Sequence, residues 1–262
     1  MKNLIVGLSV TAVVAFSLIL SSPALAWGDE CEFSRDVERE LSLSDSLLLT
    51  VVAGAGKLEI IGDADRQTVL IDAKLCAERE KQLADMDVSS ELKGDVTHIQ
   101  TEFAEGRLWG SDSDGAYIDL TLYVPLKAKL DVTDSSGKAS VLRVASLTMV
   151  DSSGELTIED VDGNVTVEDS SGSLRIKRVN GNVSVTDSSG SIKVGYIAGD
   201  FTVEVDSSGS IDAEYVKGNV LVRSDSSGSI NVYQVGGDFT VVEDSSGGID
   251  HKDVAGKVSV PD

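Results

Sequence analysis

Asp169-Ser170-Ser171-Gly172-Ser173-Leu174-Arg175-Ile176, eight residues from the middle of the chain, decides the fold because its first four letters return on a near-fixed period. Asp-Ser-Ser-Gly begins at Asp134, Asp151, Asp169, Asp187, Asp206, Asp225 and Asp244, at intervals of 17, 18, 18, 19, 19 and 19 residues. A unit this short cannot hide its own apolar face, so it stacks on copies of itself, which is the signature of a solenoid.

Within the unit, Leu174 and Ile176 alternate with polar residues, and Val183-Ser184-Val185 alternates again after a glycine-containing middle piece. The apolar columns persist through the copies: Leu156, Leu174, Ile192, Ile211, Ile230 and Ile249 in one, Val167, Val185, Val203, Val222, Val241 and Val260 in the other. Period two with branched residues inward describes half-buried strands, two to a coil. Gly163, Gly181, Gly199, Gly218, Gly237 and Gly256 form a further column, usually followed by Asn or Asp, which predicts a corner at positive φ. Rungs about 4.8 Å apart make a rod roughly 34 Å long.

The Asp column poses a physical problem. If each carboxylate faces water one rung from the next, repulsion costs about 0.8 kcal/mol per pair before screening. An Asx turn, in which each Asp accepts the N–H groups of the following Ser and Gly, outweighs that at about 1.5 to 3 kcal/mol per charge-assisted bond. A row of calcium ions between carboxylates is the alternative, although the glycine-rich nonapeptide calcium repeats have a different spacing.

The chain opens with Met1-Lys2-Asn3, an apolar run from Leu4 to Leu20, and Ala24-Leu25-Ala26. That is the pattern of a secretory signal peptide cleaved between Ala26 and Trp27, and it predicts a periplasmic or secreted protein; an uncleaved anchor is the alternative. No later apolar run is long enough to span a bilayer. Cys31 and Cys76 are the only cysteines. In an oxidising compartment such a pair reads as a disulfide pinning the N-terminal segment, with two free thiols or a metal pair as alternatives. The formal net charge is −22, and without Lys2 the 21 basic and 44 acidic residues leave −23. This balance argues against nucleic acid and anionic membrane surfaces as partners.

Ahead of the repeats, strand signals run through Leu47 to Val52, Lys57 to Ile61, Thr68 to Leu75, Thr97 to Phe103 and Tyr117 to Val124. Ala77 to Met86 is rich in helix formers, Lys93-Gly94-Asp95 reads as a hairpin turn, and the acidic stretch Glu105 to Gly115 with Trp109 reads as a flexible loop. The expected organisation is a signal peptide over 1–26, a β region over 27–133 that caps and continues into the rod, and the repeat solenoid over 134–262. At the far end His251, Lys252, Asp253, Lys257 and Pro261 place charge and a missing donor on the terminal edge.

Three stretches carry a family resemblance: Gly56-Lys57-Leu58-Glu59-Ile60-Ile61-Gly62, Tyr123-Val124-Pro125-Leu126-Lys127-Ala128-Lys129-Leu130-Asp131-Val132, and the Ser-Ser-Gly-x-Ile repeats. From about Ser46 to the C-terminus the chain resembles the bacterial "putative adhesin" domains of unknown function, a β-strand-repeat group related to the autotransporter adhesin head (GIN) domain. The resemblance implies an exported, right-handed β-solenoid and supplies no catalytic residue. The chain departs from many of those domains in its constant Asp before Ser-Ser-Gly and in its cysteine pair. The fold expected is thus all-β: a single-stranded right-handed parallel β-solenoid (β-helix) of about seven coils of 17–19 residues, with an irregular N-terminal β cap.

Chemistry finds little support. A serine nucleophile needs a base and an oxyanion site, yet His98 and His251 are the only imidazoles and seven equivalent Ser pairs read as structure. No singular cluster of carboxylates breaks the repeat, so no catalytic residue, metal site or cofactor is assigned. Tyr196 and Tyr215 share an outward column with Tyr233 one position away, forming either a strip for stacking sugar rings or a ladder of mutually supporting rings. The expected function is that of a non-enzymatic, exported bacterial envelope protein, an adhesin or interaction scaffold, whose partner is an unspecified protein or glycan on an extracytoplasmic surface. A cation-assisted glycan-binding solenoid that uses the Asp turns or the Tyr strip is the alternative, and a polysaccharide-acting enzyme is the remaining one. Oligomeric state is left open.

Overall fold

Two parallel ladders hold the repeats together in the computed structural model, which describes residues 31–43, 47–103 and 115–261. The expected signal peptide, and the acidic stretch up to Asp114 with Trp109, lie outside the described residues. The first ladder contains β10 (Gly154–Val161), β12 (Gly172–Val179), β14 (Gly190–Ile197), β16 (Gly209–Val216), β18 (Gly228–Val235) and β20 (Gly247–Val254). The second contains β9 (Ser146–Asp151), β11 (Val165–Asp169), β13 (Val183–Asp187), β15 (Phe201–Asp206), β17 (Val220–Asp225), β19 (Phe239–Asp244) and β21 (Val258–Ser259). Each strand pairs in parallel with its counterpart one repeat away, Leu174 with Ile192 and Val167 with Val185, so the molecule is an all-β parallel solenoid of about seven turns.

Register explains the drifting period. In β13 the strand has five residues, whereas β15 has six, and the pairing slips after Val185 so that Thr186 lies opposite Val205. The nineteenth residue of the later repeats is therefore a bulge just before the Asp. The short first interval lies instead in the middle corner, where Ala145-Ser146 stands against Asp162-Gly163-Asn164.

The N-terminal region comprises β1 (Phe33–Ser42), β2 (Leu48–Ala55), β3 (Leu58–Asp63), β4 (Thr68–Ala77), α1 (Glu80–Ala84), β5 (Asp87–Lys93), β6 (Val96–Glu102), β7 (Tyr117–Pro125) and β8 (Lys129–Leu142). The helix is shorter than the composition suggests, and the hairpin turn at Gly94 joins β5 to β6 as expected. One long strand, β8, belongs to both ladders: its first half pairs with β2 and β9, its second with β3 and β10. Beyond β2 and β3 lie β6 and β7 in parallel, and then antiparallel strands finish the stack, β5 on one ladder and β4 followed by β1 on the other. Arg39 of β1 reaches across to β5, its Nη2 2.9 Å from both carboxylate oxygens of Asp87, and Arg35 and Arg39 also donate to the Met86 and Val88 carbonyls. The charged strand β1 is a poor template for further strands. Cys31 and Cys76 stand at disulfide distance beside it, Cα to Cα 5.5 Å.

The inward columns form one continuous core of Val, Ile and Leu, with Phe201 and Phe239 alternating with Val in one column. The mid-unit glycines correct an expectation: none has positive φ. A Cβ at Gly181, Gly199, Gly218, Gly237 or Gly256 would lie 2.5 to 2.8 Å from the carbonyl oxygen of the glycine below. Glycine is required there by rung-on-rung approach, not by turn conformation. The Asn or Asp that follows forms its own ladder, Oδ1 of Asn164, Asn182, Asp200, Asn219 and Asp238 each accepting the N–H one rung on at 2.7–2.9 Å.

Candidate functional site

Two features stand out from the regular coil, one inside it and one on its surface. The first is the Asp-Ser-Ser-Gly corner, in which nearly every polar group has a partner. The first Ser donates its N–H to the Asp carbonyl one rung back (Ser170 to Asp151, 3.0 Å), and the second donates its N–H to its own Asp Oδ1 (Ser171 to Asp169, 3.1 Å). The second Ser hydroxyl donates to a Ser carbonyl below (Ser171 to Ser152, 3.2 Å), while the Gly N–H donates to the Ser carbonyl above (Gly172 to Ser189, 3.1 Å). The glycines here have φ between 118° and 143°, a region essentially closed to other residues.

This differs from the expected Asx turn in two respects. The Gly N–H bonds to the next rung instead of to the Asp, and the Asp does not face water. Asp134, Asp151, Asp169, Asp187, Asp206 and Asp225 are all buried, and only Asp244 on the last rungs is half-exposed. In-register pairing stacks each above the last. Oδ2 of Asp151, Asp169, Asp187, Asp206 and Asp225 has no hydrogen-bond partner, and neither oxygen of Asp134 has one.

The electrostatic consequence is large. At an effective dielectric of about 20 and a rung spacing of about 4.8 Å, two neighbouring carboxylates repel by about 3.5 kcal/mol, several times the solvent-exposed value. Burial, reinforced by the Asp151 carboxylate, pushes Asp134 up to about 8. Burial with the Asp neighbours on both sides pushes Asp169 and Asp206 up to about 6. Asp151, Asp187 and Asp225 are raised as well, chiefly by burial. Among the described residues no three His, Cys, Asp or Glu converge as a metal centre would require.

The second feature is a groove of about 890 Å³ along the opposite corner. Its floor is a column of non-glycine residues held at φ 56–61°: Asp160, Arg178, Tyr196, Tyr215, Gln234 and Asp253, with Arg143 at the same place one rung earlier. Because every coil repeats this conformation, the strain belongs to the corner and not to one ligand site. Tyr196 and Tyr215 stack with ring centroids 4.6 Å apart and planes within 7°, yet stay 52% and 41% exposed. Tyr233 pairs with Glu214 in the neighbouring column and does not line the groove, so the expected three-tyrosine strip is a two-tyrosine platform. Arg178 closes one end, its Nε 2.6 Å from Asp160 Oδ1 and its Nη2 2.5 Å from Glu159 Oε2. Those bonds hold the Asp160 carboxyl below its ordinary range. Asn180, Lys217 and Gln234 add donors and acceptors around the rings. The Asp-Ser-Ser-Gly carboxylates are inside the rod and do not line this groove.

Sequence reading placed the tyrosine pair in one column but missed the rest of this surface. Arg178 and Gln234 occupy the same column by alignment, a signal available before the structure. The left-handed backbone beneath them leaves no compositional trace. His251 lies opposite Val232 on the last rung, its ring tilted against Phe239 at 6.0 Å, which is a capping contact.

No family model matches the chain, and no curated protein does. Among solved structures, a putative adhesin from Bacteroides fragilis is similar at TM-score 0.40 and 13% identity, over 87% of this chain and 97% of its own. A putative cell adhesion protein from Clostridium sporogenes gives 0.33 at 11%, over 86% and 99%, and a putative lipid binding protein from Parabacteroides distasonis 0.35 at 14%, over 87% and 97%. Likeness at this level carries no ligand and no residue role to this chain.

Proposed function

We propose that this solenoid is a non-enzymatic adhesion or interaction module of the bacterial envelope, exported to the periplasm or beyond, and that carbohydrate is the partner class its groove takes. The observation that carries the reading is the exposed Tyr196–Tyr215 platform, set in a groove with Arg178, Asn180, Lys217 and Gln234 around it. An aromatic surface bordered by hydrogen-bonding side chains suits a sugar, which has an apolar ring face and a rim of hydroxyls. The repeat coils also fit a contact role, since the groove residues sit on or beside their strands in fixed positions.

The cation-assisted version of this reading loses its support, because the Asp turns it relied on point into the core. The test is a glycan array with the wild-type chain and with Tyr196→Ala/Tyr215→Ala, both checked for retained β structure by circular dichroism. Binding by the wild type that the double variant loses supports the reading. A wild type that recognises no glycan on the array overturns the carbohydrate assignment.

A further inference from the structure

The Asp column raises a question that the groove does not answer: what satisfies the inner oxygens of six buried carboxyls. Asp134 is 0% exposed with neither oxygen bonded to the protein, and the next five each present one such oxygen to the same buried column. Calcium takes six to eight oxygens, and among the described residues no three carboxylates converge to help supply them. A proton needs one donor oxygen and one acceptor. Rungs about 4.8 Å apart put neighbouring carboxyls within hydrogen-bond reach of one another when the two oxygens of each are turned along the column. We propose that the buried Asp column is a proton-binding site running along the rod, holding up to about one proton for each pair of neighbouring carboxyls. Each proton sits between the free oxygen of one Asp and a carboxyl oxygen of the next rung.

The groups facing the column agree with this. The charges acting on it are its own carboxyls: Asp151 on Asp134, Asp151 and Asp187 on Asp169, Asp187 and Asp225 on Asp206, and Asp244 on Asp225. No Lys, Arg or His contributes to any of the six among the described residues. Below Asp134 the register position belongs to Ala53, where the column ends. The inward neighbours two residues before each Asp are apolar or, in the bulged repeats, three residues before: Val132, Met149, Val167, Val185, Val203 and Val222.

Infrared difference spectroscopy of the full chain between about pH 5 and pH 10 tests the proposal through the carbonyl stretch of protonated carboxylic acids. A protonated-acid band that persists at pH 6, where surface carboxylates are ionised, and disappears above about pH 9 is the expected result. The band should shrink in Asp169→Asn/Asp206→Asn, whose amides keep the acceptor for Ser171 and Ser208 and supply a fixed donor. Absence of the band at pH 6 in the folded wild type overturns the proposal, as does a band that the folded variant leaves unchanged. Stoichiometric sodium, potassium or calcium that survives exhaustive dialysis and is released on unfolding overturns it in favour of a metal. The wild-type spectra decide the question even if the variant fails to fold.

Discussion

Gly190→Ala is the substitution for which the structure makes the sharpest quantitative demand. Gly190 has φ 141°, and a Cβ there would overlap the carbonyl oxygen of Gly172 in the rung below. Forcing an alanine into that backbone region costs about 1 to 3 kcal/mol before any clash is counted. Relief of the overlap requires the two rungs to part, which weakens the Gly172 N–H bond to Ser189 (3.1 Å) and the Ser188 N–H bond to Asp169 (3.1 Å), each worth about 1 kcal/mol net. The sum is about 3 to 5 kcal/mol. At roughly 2 to 4 °C per kcal/mol for a domain of this size, the melting temperature should fall by about 10 °C. Gly190 lies in a central rung, so the damage cannot be shed by fraying an end. Gly248→Ala is the matched control: nothing lies within 4 Å of a Cβ there, its φ is ordinary, and Ser229 holds the paired position one rung earlier. That change should be neutral or stabilising by up to about 1 kcal/mol through the unfolded chain. Thermal and urea unfolding followed by circular dichroism would measure both, and equal shifts for the two variants would refute the reasoning.

Further outcomes follow from the same geometry. Stability should fall as pH rises from about 4 to about 8: the Asp134, Asp169 and Asp206 carboxyls are raised in the fold above the ordinary carboxylate value, to about 8, 6 and 6, so the native state binds more protons than the unfolded one across that window. Asp169 contributes stability that is present below about pH 4 and lost as pH rises through about 6, readable as a melting temperature that Asp169→Asn makes less pH-dependent. Asn182→Ala removes the acceptor for the Asp200 N–H (2.9 Å) and should cost about 1 kcal/mol in urea unfolding. Reduction of the Cys31–Cys76 bridge, which spans 45 residues, should cost about 4 kcal/mol in the chain-entropy picture, and hydrogen exchange should show the loss confined to β1 and β4.

Much of the architecture was legible because period two and a near-fixed repeat are direct consequences of stacked strands. The columns of Leu174 and Val185 required no structure to place. The Asp column was misplaced, and instructively so. Val165 and Val167 point inward, and parity alone puts Asp169 inward with them, but the expectation that a carboxylate faces water overrode the count. Glycine was read through its best-known property, and the column from Gly163 onward turned out to reflect rung-on-rung distance instead. At the surface, Tyr196 and Tyr215 were found by alignment, whereas the left-handed corner under them is occupied by Asp, Arg, Tyr and Gln in turn and has no residue signature. The antiparallel finish of β1 and β5 was missed because Phe33–Ser42 is too charged to read as a strand, which is also what suits it to an edge.

Distances along the outward Thr/Ser column test the stacked repeat most directly. Spin labels at Thr148 paired in turn with labels at Leu221, Thr240 and Ser259, which lie in one register column, can be measured by pulsed electron–electron double resonance. The separation should lengthen by about 4.8 Å with each added repeat. Separations that fail to grow by a constant increment would contradict the solenoid, and with it both the groove and the buried carboxyl column.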